Sequence, residues 1–178
     1  MPKRSRKQIE IDNRQVLEEL TKNSNQSPDK IAKKAGYSRQ KVWRCIKKLE
    51  ENHTIWGYHA IVDKEKIGLK NYTMLIKKTD LPAVDIAELI IKRVVDDLGE
   101  KIGVSVIGSY YVYGGYDWIV TFTAPGIREA NKFCEIMRST YKGYIEKLEL
   151  LEHIFVVKKC GILNPDKKQL KEFFTVPV

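Results

Sequence analysis

A single residue, Tyr37, separates a helix stop from a helix start, and that spacing dictates the first third of this 178-residue chain. Ser27-Pro28 opens a helix. The serine oxygen accepts from an amide of the first turn, and proline's fixed φ and missing N–H suit the first helical position. Ile31, Ala32 and Ala35 line one side, and Gly36, free to turn left-handed, ends it. Ser38 caps the next helix, expected to run to about Asn52. There Val42, Cys45, Ile46 and Leu49 fall within one arc at about 100° per residue. An earlier helix is written at Ile11-Asp12-Asn13-Arg14-Gln15-Val16, with Asp12 as cap, Gln15 completing a capping box, and Ile11 and Val16 as a hydrophobic staple. Val16, Leu17 and Leu20 form its stripe until Asn23-Ser24-Asn25-Gln26 breaks the pattern. Three short helices with a tight turn between the last two make a compact helix-turn-helix unit over residues 9–54. Residues 1–8 read as a flexible basic arm.

The charge is as uneven as the punctuation. Residues 1–62 carry 14 Lys/Arg against 7 Asp/Glu, whereas residues 63–178 carry 18 against 16. An excess confined to the helical third points to a polyanion, either nucleic acid or an anionic membrane surface. Opposite the apolar arc of the third helix lie Gln40, Arg44, Lys47 and Lys48, flanked by Arg39, Lys41 and Trp43. Arg39 and Lys41 stand in the first turn, where the helix dipole disfavours cations. Arg44 and Lys48 repel at i, i+4. A helix selected for stability alone would place acids at that start. The face makes sense against DNA, where Arg reads guanine O6/N7 and Gln reads adenine. The expected contact set is Ser27, Ser38, Arg39, Gln40, Lys41, Trp43, Arg44, Lys47 and Lys48. A plain solvated basic face is the competing reading, and Trp43 suits core-rim packing as well as a base contact. Lys3, Arg4, Arg6 and Lys7 either track the DNA backbone or merely solubilise the terminus.

Beyond the helices the period changes from helical to alternating. Residues 55–62 have the β-branched and aromatic content of a strand, serving as a wing or as a linker ribbon, and Asp63 to Gly68 form a connector. Asn71 to Lys77 is the next strand. A helix follows Leu81-Pro82 over 84–98, with Ile86, Leu89, Ile90, Val94 and Leu98 inward. Strands over 104–112 and 116–123 flank the Tyr113-Gly114-Gly115 turn. A helix over 127–141, a strand over 146–158 and a short tail helix near Lys167 to Phe174 complete the chain. The order from residue 71 is β-α-β-β-α-β, the ferredoxin-like split unit. The expected fold is therefore α+β: an N-terminal (winged) helix-turn-helix, a linker over 55–70, a ferredoxin-like domain over 71–160 and a tail over 161–178.

Ile46-Lys47-Lys48-Leu49-Glu50-Glu51, Ile55, Gly57-Tyr58-His59-Ala60-Ile61-Val62-Asp63 and Lys66-Ile67-Gly68-Leu69, with Ser38 and Arg44 on the third helix, form one pattern. In this the chain resembles the Lrp/AsnC family of leucine-responsive and asparagine-type regulators. Gly114-Gly115-Tyr116-Asp117 is similar to the family's Gly-x-Tyr-Asp signature. The resemblance spans about residues 10–160. It implies sequence-specific transcription regulation, dimers paired through their sheets that assemble further, and an amino-acid-like effector near Gly114, Gly115, Tyr116 and Asp117. The chain departs from the family at His53, where glycine is usual and Asn52 would have to accommodate the helix stop. It departs again in a longer 143–154 segment and a C-terminal extension.

Enzymatic chemistry finds little support. His53, His59 and His153 share no metal-ligand spacing, no cofactor is expected, and no nucleophile elbow, P-loop or dinucleotide fingerprint is present. Asp117 stands apart, either tying its own hairpin or contacting a ligand. Cys45, Cys134 and Cys160 form no disulfide framework and read as ordinary buried thiols. With no signal-peptide pattern and no apolar run near the ~18 residues of a membrane span, a soluble, cytoplasmic protein is expected. Two alternatives stay open: an enzyme on the same scaffold, similar to the sirohaem decarboxylases, and a non-specific nucleic-acid-binding architectural protein.

Overall fold

A computed structural model describes residues 5–80 and 84–175. The chain divides into two compact units, residues 1–60 and 61–178.

The first unit holds α1 (Arg6–Lys22), α2 (Pro28–Ala35) and α3 (Arg39–Glu51). Ser27 Oγ accepts from the Lys30 amide and Ser38 Oγ from the Lys41 amide, each at 3.3 Å. Gly36 closes α2 at φ 68°, where a side chain would be strained. Val16, Leu20, Ile31, Ala32, Val42 and Cys45 are the core that the three apolar stripes build together.

Several expectations for this unit are corrected. Helix α1 starts at Arg6 under a Ser5 cap, so Arg6 and Lys7 of the expected arm are helical. Met1 to Arg4 lie outside the described residues. Asp12 is then no cap but an interior residue, one helical step from Val16 on the buried face. At the end of α3 the left-handed residue is His53 itself, at φ 56°, while Asn52 stays at φ −91°.

Residues 55–62 form no strand, because within one chain no neighbouring strand pairs with their backbone groups. The connector is a 3₁₀ turn at Glu65–Ile67 closed by Gly68 at φ 74°.

The second unit is built on β1 (Lys70–Lys78), β2 (Ser105–Tyr111), β3 (Trp118–Ala124) and β4 (Ile145–Glu152). They form one antiparallel sheet in the order β2-β3-β1-β4, the ferredoxin-like arrangement. Alternation decides its two faces. Tyr72, Met74 and Ile76 of β1 and Trp118, Val120 and Phe122 of β3 are buried. They pack under α4 (Val84–Ile91), α5 (Val94–Glu100) and α6 (Ile127–Thr140). Phe122 sits centrally, with ring centroids 5.5 Å from Tyr72 and 4.9 Å from Phe133.

The single helix expected over 84–98 is two, because Arg93 adopts φ 53° between them and Asp96 and Asp97 open the second. Leu81-Pro82, read as its start, lies outside the described residues. The last strand stops at Glu152 rather than Lys158. The chain turns there into a small hairpin, β5 (Lys158–Lys159) with β6 (Ile162–Leu163), around Cys160 and Gly161 at φ 46° and 82°. Helix α7 (Lys167–Thr175) follows as the expected tail helix. Where β4 ends, the His153 amide donates to the Asn71 carbonyl at 2.9 Å, and its Nε2 lies 2.7 Å from Thr73 Oγ1.

Candidate nucleic-acid interface and effector hairpin

The exposed side of α3 is presented by the caps and core that fix its ends. Arg39, Gln40, Trp43 and Arg44 line one shallow hollow on it. Arg39 makes a loose 3.7 Å contact with Asp29, and Arg44 Nε donates to the Gln40 carbonyl at 3.3 Å. Lys47 reaches Glu50 at 3.1 Å, and Lys48 is exposed beside it. Trp43 is 55% exposed, so a large part of its ring faces outward beside Gln40 and Arg44. Exposed ion pairs of this kind contribute little, so these cations can exchange their partners for phosphates.

Lys41 behaves differently. Its Nζ sits 2.7 Å from Asp12 Oδ1 and 3.3 Å from the Tyr37 ring centroid, and its side chain is largely covered. Asp12 also accepts from the Tyr37 hydroxyl at 2.9 Å and from Gln8 at 3.1 Å. Burial raises the Asp12 pKa, but hydrogen bonds from Lys41, Gln8 and Tyr37 outweigh it and hold the carboxyl below its ordinary value. Lys41 is thus turned inward, joining α1 to α3, and does not stand with the exposed cations. Ser27 and Ser38 spend their oxygens on their caps. Asp12 is the residue sequence reasoning missed. Its spacing of four from Val16 and eight from Leu20 put it on the buried stripe and was the available signal.

In the second unit the hairpin loop brings Gly114, Gly115, Tyr116 and Asp117 together. A Cβ at either glycine would meet nothing within 4 Å, so the loop backbone is open to approach. Asp117 Oδ2 accepts from the Lys78 amide at 3.0 Å and lies 3.1 Å from Lys77 Nζ. Those two groups, the amide first, hold its carboxyl below the usual range. Asp117 also ties the hairpin through its backbone, donating to the Ile76 carbonyl and accepting from the Val112 amide. Tyr116 donates to Glu149 at 2.5 Å, an acceptor that raises the phenol's pKa. The Asp117 carboxylate thus ties the hairpin to the end of β1 rather than closing the hairpin on itself, and any ligand role adds to that one.

Among the described residues no group of three or more His, Cys, Asp or Glu is arranged to hold a metal ion, and no helix is long and apolar enough to cross a membrane. Cys45 and Cys134 are buried, and burial pushes the Cys134 thiol up to about 11. Cys160 is exposed, contrary to the expectation of three buried thiols.

A capped tri-helical unit with a cationic third helix, joined to a ferredoxin-like sheet unit, is a helix-turn-helix of the DNA-binding type followed by a sheet unit. Residues 13–55 match the winged helix-turn-helix DNA-binding family. The chain is 24% identical over 149 residues to the proline dehydrogenase transcriptional activator of Rhodobacter capsulatus, covering 82% of this chain and 84% of that protein. Its fold matches that of an AsnC family transcriptional regulator from Agrobacterium tumefaciens with a TM-score of 0.64 at 24% identity, over 87% of this chain and 96% of the other. It also matches a Neisseria meningitidis transcriptional regulator solved as a complex with L-methionine, with a TM-score of 0.61 at 13% identity over 83% and 91%. Over both units the chain has the architecture of the AsnC/Lrp-type transcription regulators.

Proposed function

We propose that this protein is a sequence-specific transcription regulator that inserts α3 into the DNA major groove and answers to a small amino-acid-like metabolite. The observation that carries the reading is the α3 surface. Arg39, Gln40, Trp43 and Arg44 share one exposed hollow with Lys47 and Lys48 beside it, while Lys41, whose partner is buried, is turned away. A recognition helix needs this combination of base-reading and phosphate-neutralising groups. An enzyme on the same scaffold would have no use for it. Selecting bound duplexes from a random pool tests the reading: one enriched, two-fold symmetric sequence is expected. Tight binding without enrichment would favour the architectural alternative.

Symmetry follows from the second unit. The sheet face opposite the helices is not covered by them, and it carries the row Tyr110, Ile119, Leu75 and Glu149 beside the row Gly108, Thr121, Thr73 and Leu151. Tyr110 and Leu151 are 55% and 47% exposed. A helix-free sheet face that presents Tyr110, Ile119, Leu75 and Leu151 suits pairing with a second copy, which brings two α3 helices to half-sites about one DNA turn apart. Sedimentation should show a dimer or a multiple of it for the wild type and a monomer for Leu75→Lys. A monomeric wild type at micromolar concentration would reject the pairing.

The effector reading rests on the open glycine backbone at 114–115 and on the hairpin's Asp117, which suits an ammonium group. The meningococcal regulator's complex with L-methionine makes an amino acid the first class to try. A thermal-shift screen of the twenty amino acids should find a stabilising ligand, because a binder adds RT ln(1 + [L]/Kd) to stability. The shift should shrink in Asp117→Ala. A flat screen would leave the second unit as an assembly module.

A further inference from the structure

We propose that the C-terminal extension builds a second small-molecule site, distinct from the effector hairpin, for an organic acid with an apolar body. The extension does not lie idle on the surface. Its β5–β6 hairpin and the start of α7 face the stretch 61–66 and the first residues of β1, and together they enclose a cavity of about 670 Å³. That size is typical of a ligand pocket. The walls and the rim differ in chemistry, and the difference names the ligand.

The walls are apolar. Phe155 stacks on Phe173 of α7 with centroids 5.5 Å apart, and Val62, Ile162 and Leu163 line the same space while staying 41%, 51% and 51% exposed. The rim is cationic, with five lysines against Asp63, Glu65 and Asp166. Lys66 and Lys168 have carboxylate neighbours at 3.9 and 3.7 Å. Lys64, Lys159 and Lys167 make no ion pair among the described residues. Helix α7 opens with Lys167 and Lys168 and no acid in its first turn. Cations there oppose the helix dipole, an arrangement that an anion would relieve. The positive field reaches inward, since His153 is held below its ordinary pKa by burial first and by Lys159 second.

The second, independent observation is Asn71. It lines the cavity as a polar residue among the apolar walls and is 8% exposed. A primary amide on the cavity wall offers both a donor and an acceptor to a ligand's polar atoms. An acid with an apolar body satisfies all three features: its body meets the aromatic and aliphatic walls, its head meets the lysines, and a further polar atom meets Asn71.

Isothermal titration of the full chain with phenylpyruvate, phenyl phosphate and the neutral phenylacetamide tests this. The two acids separate a carboxylate from a phosphate preference. At least one acid should bind saturably, and the amide about tenfold more weakly or worse, as expected for losing a charged hydrogen bond. Lys159→Ala/Lys167→Ala should weaken the acid by a similar factor without changing the melting temperature, and Asn71→Ala should weaken it too. Because Asn71 is buried in a strand, the lysine variant carries the test if Asn71→Ala does not fold. Asp117→Ala should bind the acid unchanged, which separates this site from the effector hairpin. No binding of either acid at millimolar concentration, equal binding of the amide, or unchanged binding by the lysine variant would overturn the proposal.

Discussion

Asp12→Ala is expected to destabilise the N-terminal unit by about 3 kcal/mol or more and to abolish DNA binding with it. Asp12 is 2% exposed, and Lys41, Tyr37 and Gln8 all converge on its carboxylate. Removing the acid leaves the Lys41 ammonium covered and without its anion, which is the costly way to break such a pair. A unit of this size has only ~3–5 kcal/mol to lose. Replacing both partners, as Asp12→Leu/Lys41→Met, should recover most of the loss, since a buried pair and an apolar pair of similar volume are often near equal. The pair also sets an acid limit. The folded-state pKa of Asp12 lies below its ordinary value, so its contribution is complete above the ordinary carboxylate range. It is lost as pH falls through the folded value. Thermal melts of wild type and variants followed by circular dichroism check each point. A single Asp12→Ala that melts like the wild type would show that the pair is ornamental.

How much of this was legible depends on how local the governing interactions are. Ser27, Gly36 and Ser38 act on backbone groups within four residues, so their spacing spelled the helix-turn-helix directly. The alternation in β1 and the Gly114-Gly115 turn likewise spelled the sheet order. Asp12 and Lys41 read wrongly because their pairing joins distant helices: each looked like a local signal, a cap in one case and a DNA contact in the other. The break at Arg93 carries no glycine or proline, and the apolar stripe runs through it unbroken. The end of β4 at Glu152 had no local sign, since the β-branched and aromatic run continues through Ile154, Phe155, Val156 and Val157.

The second large effect is on specificity. Arg44→Ala is expected to weaken binding to the selected duplex by about 1–3 kcal/mol if Arg44 reads a base, and to relax preference at that base pair. The side chain is exposed and lies in one hollow with Gln40 and Trp43, with only a 3.3 Å bond to the Gln40 carbonyl to give up. Lys48→Ala should instead weaken all duplexes alike, because an exposed lysine without a planar fork neutralises phosphate rather than discriminating bases. Lys41→Met separates the roles further, since the structure assigns that lysine to Asp12. Any effect of Lys41→Met on affinity should track its loss of stability.

The central claim, that the exposed α3 cations meet DNA phosphates, is tested most directly by the salt dependence of affinity. Fluorescence anisotropy of the full chain on a labelled selected duplex, titrated at several salt concentrations, gives the slope of log affinity against log salt. The wild type should show a steep negative slope. Arg39→Ala/Lys47→Ala/Lys48→Ala should flatten it by about 0.9 for each phosphate that the variant no longer neutralises, with the fold intact. A wild-type slope near zero, or a triple variant whose slope equals the wild type's, would contradict the assignment of α3 as the DNA-reading helix.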